Sequence, residues 1–309
     1  MSGVLEDLAA SALAERHSSR RCKFVKESGW AGRFLLVEND DHDERQQQQQ
    51  GSSGCITRSL AFDTSYSWAA GSEGGGCKVA FLVASASEMR QQQQPRASKK
   101  RRAGRFDFPL RCHRCSDSEV CHRDWDESVL GRIRIKYVDS IQDVVKFLAY
   151  APSLPEALRP EGICLLGLHR LLPSRKETGS RGSDVMELIH VLSLLSNTAE
   201  ILGKMKHDDT GSDPRILRES SRVPYIVTMN QSTYHATARN IEGHLHQWVD
   251  FVACAKSDGE EERQAGKFVF SNTAMLAMVG ADDDKAADAR AFRYAVENDE
   301  KGQFIKWNA

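Results

Sequence analysis

The run Lys78-Val-Ala-Phe-Leu-Val-Ala84 decides the fold class of this chain. Six apolar residues in succession, without a polar residue between them, are typical of a strand that is buried on both faces. The glycine-rich stretch Gly71 to Gly76 precedes the run and separates it from the segment before it. Strands of this kind occur in parallel sheets that are covered by helices, so the run predicts an α/β domain.

The rest of the chain alternates between segments with strand and helix patterns. Short apolar runs predict three further buried strands, and Arg132 to Val138 alternates as a half-exposed strand. Helical spacing predicts helices over 4–16 after a Ser2 cap, 59–70, 141–150 and 184–202, the last with Ser183 as its cap and Gly203 as its stop. The other predicted strands are 33–37, 163–166, 223–229, 249–255, 267–270, 292–296 and 304–307. We expect a mostly parallel sheet with helices on both faces and a C-terminal antiparallel extension.

Composition limits the class of protein. The chain has 309 residues, of which 40% are apolar, and this excludes global disorder. No apolar run approaches the roughly 18 residues of a membrane span, so we expect no membrane partner. Eight cysteines are too sparse for a disulfide scaffold, and those in apolar runs, such as Cys164 and Cys254, are predicted to be buried thiols in a reducing, intracellular compartment.

Polar tracts divide the chain. Two glutamine runs, Gln46 to Gln50 and Gln91 to Gln94, cannot bury enough surface to offset their ordering entropy, and the acidic cluster Glu38 to Glu44 has a similar character. We therefore predict an N-terminal helix and linker over residues 1–32. A single domain follows over residues 33–309, interrupted by insertions at 38–50 and 86–107.

The first candidate site is the loop before the predicted first helix. In a parallel sheet, the first loop from strand to helix is the usual phosphate site, because backbone amides and the positive helix end converge there. The candidate residues for binding ATP, with Mg²⁺, are Gly51, Ser52, Ser53, Gly54, Thr57 and Arg58. With Gly51 as the first glycine of a phosphate loop, Ile56, Thr57 and Arg58 occupy the second glycine, lysine and hydroxyl positions. An ordinary Gly-Ser turn is the alternative.

Together with Ser59-Leu-Ala-Phe62, this loop resembles the phosphate loop and first helix of RecA-like ATPases. The resemblance is to the small atypical family associated with the SWIM-domain zinc-finger protein, and it covers roughly residues 51–309. It consists of hydrophobic pattern and order more than of invariant motifs. The segments that carry it are 78–83, 132–140, 144–148, 163–168, 223–230, 246–249 and 300–307.

The resemblance implies a RecA-like P-loop NTPase fold and a nuclear role in DNA repair by homologous recombination. The implied partners are the SWIM-type zinc-finger protein, single-stranded DNA and the main recombinase filament. Thr57 replaces the phosphate-loop lysine, however, and Leu166 stands where the second motif has its acid, with His169 and Arg170 after it. Because phosphoryl transfer needs both groups, we expect a binding module with weak or absent ATP hydrolysis and assign no catalytic residue. The alternatives are an active ATPase with motif residues at other positions and a lineage-specific scaffold that binds zinc.

The second candidate site is basic. The net charge is −1, but Arg90 to Arg114 contains nine Lys or Arg residues and one acid, Asp107. Within it, Lys99, Lys100, Arg101 and Arg102 have the form of a nuclear import signal or of a contact to the phosphate backbone of nucleic acid. A solvated loop that keeps the glutamine insertion soluble is the third interpretation.

The third candidate site contains four ligands suited to zinc. Cys112, Cys115, Cys121 and His122 supply thiolates and an imidazole, which tetrahedral Zn²⁺ prefers. The adjacent Cys121 and His122 lack the gap that lets both side chains face one ion comfortably. Reduced, partly exposed thiols in a variable loop are therefore the alternative.

Overall fold

The computed structural model describes residues 32–38, 56–71, 78–84, 111–113, 126–172, 181–208, 222–257, 265–272, 291–299 and 302–308. The predicted N-terminal helix, both glutamine runs and the insertion at 86–107 lie outside these residues.

The described elements alternate between strands and helices in chain order. The strands are β1 (Arg33–Glu38), β2 (Val79–Ala84), β3 (Arg111–His113), β4 (Ile133–Val138), β5 (Gly162–Leu166), β6 (Tyr225–Asn230), β7 (Phe251–Ser257), β8 (Ala265–Asn272), β9 (Ala291–Asp299) and β10 (Gly302–Asn308). The α-helices are α1 (Ile56–Gly71), α2 (Glu127–Leu130), α3 (Ile141–Tyr150), α4 (Arg181–Asp208) and α5 (Gln231–Ala236). Short 3₁₀ segments cover Ala151–Ser153, Glu156–Leu158, Leu168–Arg170 and Ala238–Gln247.

The ten described strands form one sheet in the order β3-β10-β9-β8-β7-β1-β6-β5-β2-β4. The six strands from β7 to β4 in this order pair in parallel. The pairs β7–β8, β8–β9 and β9–β10 are antiparallel, and β3 pairs in parallel with β10. The predicted α/β class is confirmed. In this sheet β2 lies on one side of β1 and β7 lies on the other. The connection from β1 leads to the β2 side, and the connection from β6 crosses β1 to reach β7, so the direction of winding changes at β1.

Both faces of the parallel strands are buried, as the apolar runs predicted. In β1, Leu35 and Val37 pack in the cluster that contains α3 and α4, whereas Phe34 and Leu36 pack in the cluster that contains α1. Alternate residues of a strand point to opposite faces, which is why an unbroken apolar run is needed here. The core side chains of α4 that are completely buried are Leu188, Val191, Leu192, Leu195 and Ala199.

Several elements differ from the sequence prediction, and packing explains two of the differences. Helix α4 begins at Arg181, so Ser183 lies inside the helix and is not its N-cap. Helix α4 continues through Gly203, its predicted stop, to Asp208, because one glycine costs a helix only about 1 kcal/mol and packing of the helix exceeds that cost. Strand β4 does not alternate: Ile135 is 42% exposed and Tyr137 is 48% exposed. Because β4 lies at one edge of the described sheet, only its two ends, Ile133 and Val138, are covered.

One described helix has the length and composition of a membrane span, contrary to the expectation from the apolar runs. The segment Asp184–Lys206 of α4 passes that test. Its completely buried residues, Leu188 and Leu195 among them, belong to the core cluster that lies on the sheet. Packing within the domain therefore accounts for the apolar side of this segment.

A buried ion pair fixes the first residue of β1. The Arg33 guanidinium donates to the Asp250 carboxylate from Nε at 3.1 Å and from Nη2 at 2.6 Å, and its Nη1 donates to the Gln247 carbonyl at 3.0 Å. The backbone N–H of Arg33 donates to Asp250 Oδ2 at 3.0 Å, and the N–H of Asp250 donates to the Arg33 carbonyl at 2.8 Å. Burial alone would lower the pKa of Arg33, but the hydrogen bond and charge of Asp250 outweigh burial and raise it.

Removing Asp250 should destabilise the domain strongly. The Arg33 side chain is only 8% exposed, so Asp250→Ala leaves a buried cation without its main partner, and we expect a loss of about 3 kcal/mol in the free energy of unfolding. Glu200→Ala is the matched control, because the Glu200–Lys204 pair is exposed and contributes about 0.5 kcal/mol. Urea unfolding monitored by tryptophan fluorescence measures both variants. Equal losses in the two variants would show that burial adds nothing to the Arg33–Asp250 pair.

Candidate functional site

The carboxyl ends of the central parallel strands meet at one edge of the sheet. Strand β1 ends at Glu38 and its neighbour β6 ends at Asn230, and these two residues are register partners. Helix α1 begins at this same edge, because Trp68 in its C-terminal half lies at the opposite edge, against Gly162 at the start of β5. Ligands of open parallel sheets bind outside the carboxyl ends of the strands where the direction of winding changes, so this edge is the candidate site.

The turn that follows β5 has a fixed backbone. Gly167 adopts a left-handed conformation, with φ of 73°, which a residue with a Cβ rarely adopts. Its N–H donates to the hydroxyl Oγ1 of Thr228 at 2.8 Å, and Thr228 is completely buried in β6. The turn is therefore tied to the neighbouring strand, and the segment Leu168–Arg170 begins from a defined position.

This turn brings His169 to the ends of β6 and β1. His169 Nδ1 accepts the backbone N–H of Asn230 at 3.1 Å and lies 3.9 Å from Oε1 of Glu38. Since Nδ1 accepts a hydrogen bond, it carries no proton, and the proton of the neutral ring is on Nε2. While this bond is present Nδ1 cannot also carry a proton toward Glu38, so the bond to Asn230 and an ion pair through Nδ1 exclude each other.

The other residues at this edge are also oriented by hydrogen bonds. The side-chain Oδ1 of Asn230 accepts the N–H of Thr233 at 3.2 Å and caps α5. Glu38 is only 8% exposed, although it bears a carboxyl group at the end of its strand. The site therefore holds a nearly buried carboxyl group, an imidazole and the start of α1 at one edge.

The predicted nucleotide residues do not form the usual set for Mg²⁺ and nucleotide where the structure describes them. Thr57, at the lysine position, is only 2% exposed in the first turn of α1, so its side chain does not extend into solvent. Leu166, at the acid position, is 2% exposed and packs in the cluster that contains α1. Arg58 lies in the first turn of α1, and the residues outside the described part of the chain are Gly51, Ser52, Ser53 and Gly54.

The other two predicted sites fall mostly outside the described residues. The basic residues Lys99, Lys100, Arg101 and Arg102 lie outside them, as do Cys115, Cys121 and His122. Cys112 is the central residue of β3. Within the part of the chain that the structure describes, no group of three or more His, Cys, Asp or Glu residues is placed to hold a metal ion.

Sequence reasoning missed three residues of this edge. Glu38 was predicted to begin an acidic insertion, but it is the last residue of β1. Its position directly after an apolar strand was a signal for a residue at the carboxyl edge. Thr228 and Asn230 carried no such signal, because their roles depend on the register between β5, β6 and β1.

A scan against protein-family models and a search of the curated proteins found no match for this chain.

The bond from Gly167 to Thr228 predicts a measurable effect. Thr228→Val preserves the shape of the side chain but leaves the buried N–H of Gly167 without its acceptor, so we expect a loss of about 1 to 3 kcal/mol in stability. Native-state hydrogen exchange should show faster exchange of the Gly167 amide in this variant. Thr228→Ser, which retains the hydroxyl, is the control and should keep the amide protected. Equal protection in both variants would contradict the assigned bond.

Proposed function

We propose that the chain is a RecA-like accessory module of homologous recombination that binds nucleotide with little or no hydrolysis. In this proposal it acts in the nucleus by binding a SWIM-type zinc-finger partner and single-stranded DNA in support of the recombinase filament. The resemblance of the sequence to the SWIM-associated family supports the partners and the pathway. The geometry at the carboxyl edge of the sheet supports the biochemical part.

The observation that carries the proposal is the apolar residue at the end of β5. Leu166 packs beneath α1 with 2% exposure, so β5 brings no carboxylate to the edge where the second nucleotide motif would act. Thr57, buried in the first turn of α1, brings no cation. Hydrolysis of a nucleoside triphosphate depends on a cation at the β- and γ-phosphates and on a carboxylate that holds the magnesium shell. Because the two motif positions supply neither group, we expect little or no turnover at this site.

The topology supports the RecA-like part of the proposal. The order of the six parallel strands differs from the 3-2-1-4-5-6 order of dinucleotide-binding domains, because two strands, β6 and β5, separate β1 from β2. The end of β1 and the start of α1 nevertheless both lie at the carboxyl edge where the direction of winding changes. The antiparallel pairs from β7 to β10 support a C-terminal antiparallel extension of this domain.

Nucleotide binding and turnover test the biochemical part. We expect ADP and ATP to raise the melting temperature of the purified chain, while steady ATP hydrolysis stays at background, because neither Thr57 nor Leu166 supplies a charged group. Differential scanning fluorimetry and a coupled phosphate assay measure these two quantities. Steady ATP turnover that is abolished by Gly54→Val would overturn the proposal in favour of an active ATPase. No stabilisation by either nucleotide would favour a scaffold.

Co-purification tests the proposed partner, and salt dependence tests the DNA contact. A tagged chain should retain a SWIM-type zinc-finger protein from nuclear extract, and failure to do so would remove the recombination role.

Binding to a fluorescent single-stranded oligonucleotide should weaken steeply with salt if Lys99 to Arg102 contact phosphates. Neutralising these four residues should remove that salt dependence. Unchanged DNA binding in the neutralised variant would leave nuclear import or a solvated loop as the interpretation of these residues.

A further inference from the structure

We propose that the C-terminal half of α4 is a docking surface for the chain's own N-terminal segment, residues 4–16. The surface is an apolar row on α4 that consists of Leu194, Ile201 and Met205. The segment lies outside the described residues, and its sequence predicts an amphipathic helix. Since none of the residues involved lies at the carboxyl edge of the sheet, this inference is independent of the proposed function.

Helix α4 carries apolar residues beyond the face that packs on the sheet. Only 39% of the residues in the most apolar part of Asp184–Lys206 are buried. Leu194, Ile201 and Met205 are spaced by seven and four residues, so they lie in one row along the helix. Ile201 is 45% exposed, and the other two are half-buried. Helices that are apolar around their circumference are normally buried, so this row indicates a surface that another element covers.

The end of α3 adds to this apolar surface. The hydroxyl of Thr198 in α4 donates to the carbonyl of Leu148 in α3 at 3.1 Å, which places the last turn of α3 beside the middle of the row. Tyr150 ends α3 and is 63% exposed. Two neighbouring helices thus contribute exposed apolar side chains to the same end of the domain, whereas isolated exposed apolar residues would need no explanation.

The sequence of residues 4–16 fits this surface. Four apolar residues share one face of the predicted helix: Leu5, Leu8, Ala9 and Leu13. A helix over 4–16 spans about 20 Å, and the row from Leu194 to Met205 spans about 17 Å. A helix of this length is marginal in water by itself and needs packing of its apolar face. The two apolar surfaces can therefore cover each other over most of their length.

The position of Gly32, where the described residues begin, places the segment within reach of α4. The carbonyl of Gly32 accepts the N–H of Tyr225 at 3.2 Å. The N–H of Val223, two residues earlier, donates to the carbonyl of Ala199 in α4 at 3.0 Å. Gly32 therefore lies at the same end of the sheet as the C-terminal half of α4.

The covalent connection favours the chain's own segment over a second copy. Residues 17–31 can span about 50 Å when they are extended, which exceeds the length of the row. A connection of this length raises the effective concentration of the segment to about the millimolar range. Weak apolar contacts are then sufficient for docking within one chain.

Hydrogen exchange of the purified chain, read by mass spectrometry on peptides from residues 4–16, tests the docking surface. In the wild type, these amides should exchange at least about tenfold more slowly than in Ile201→Asp, because a charge in the row opposes docking and an undocked helix of this length is marginal. Met186→Asp is the matched control. Met186 is 64% exposed on the same helix and lies about 22 Å from Ile201 along its axis. This variant should keep the wild-type protection.

A second pair of variants tests the segment without altering the domain. Leu8→Asp should remove the protection of residues 4–16, whereas Ser11→Asp, on the opposite face of the predicted helix, should keep it. No protection in the wild type, or equal protection in these two variants, would show that the segment does not dock. Equal loss in Ile201→Asp and Met186→Asp would show that the row is not the docking surface. Protection that disappears on dilution would assign the docked segment to a second copy and overturn docking within one chain.

Discussion

The rest of the structure depends on the enclosure of β1 between two strands that come from much later in the chain. Arg33 to Glu38 pair with β6 on one side, and Phe34 to Val37 pair with β7 on the other. Arg33 and Asp250 are 217 residues apart in the sequence. Hydrogen bonds between their side chains and backbones hold the start of β1 beside the start of β7. The hydroxyl of the buried Tyr225 donates a hydrogen bond to the carbonyl of Trp248 in the same region. Burial is the main cause that raises the pKa of Tyr225. The central strand is therefore held by contacts of high sequence separation, which slow folding because the chain between them must be ordered first.

The same enclosure determines the chemistry of the carboxyl edge. Because β6 lies between β1 and β5, the backbone N–H of Asn230 is available to His169, which belongs to the turn after β5. The bond from Gly167 to Thr228 ties that turn to β6 from the other direction. These hydrogen bonds and the strand pairing connect the carboxyl ends of β1, β5 and β6, although the residues involved are far apart in the sequence. A site of this kind is pre-organised by the sheet, with little contribution from long side chains.

The sequence predicted the elements well where burial alone determines them. All nine segments predicted as strands contain strands. The helix predicted over Ile141 to Tyr150 from its apolar face has the observed bounds, and Ser140 caps its start. Periodicity could not locate the edge of the sheet, so the exposure of Ile135 on β4 was unexpected. The site was harder to predict, because the position of Glu38 at the carboxyl edge depends on the strand order. An acidic residue next to other acidic residues is typical of a loop, so the sequence pattern alone does not assign Glu38 to the end of a central strand.

The location of Leu166 opposes an acidic residue at the end of β5. Successive residues of β5 face opposite layers: Leu165 packs in the cluster with α4, and Leu166 packs in the cluster with α1. An acid at 166 would lie among apolar side chains such as Leu36 and Leu60, where an unpaired carboxylate costs several kcal/mol. Glu38 avoids this cost because it terminates its strand beside the polar groups of Asn230 and His169. The constraint on this domain is therefore one of packing: a carboxyl group is tolerated at the end of β1, and apolar packing opposes one at the end of β5.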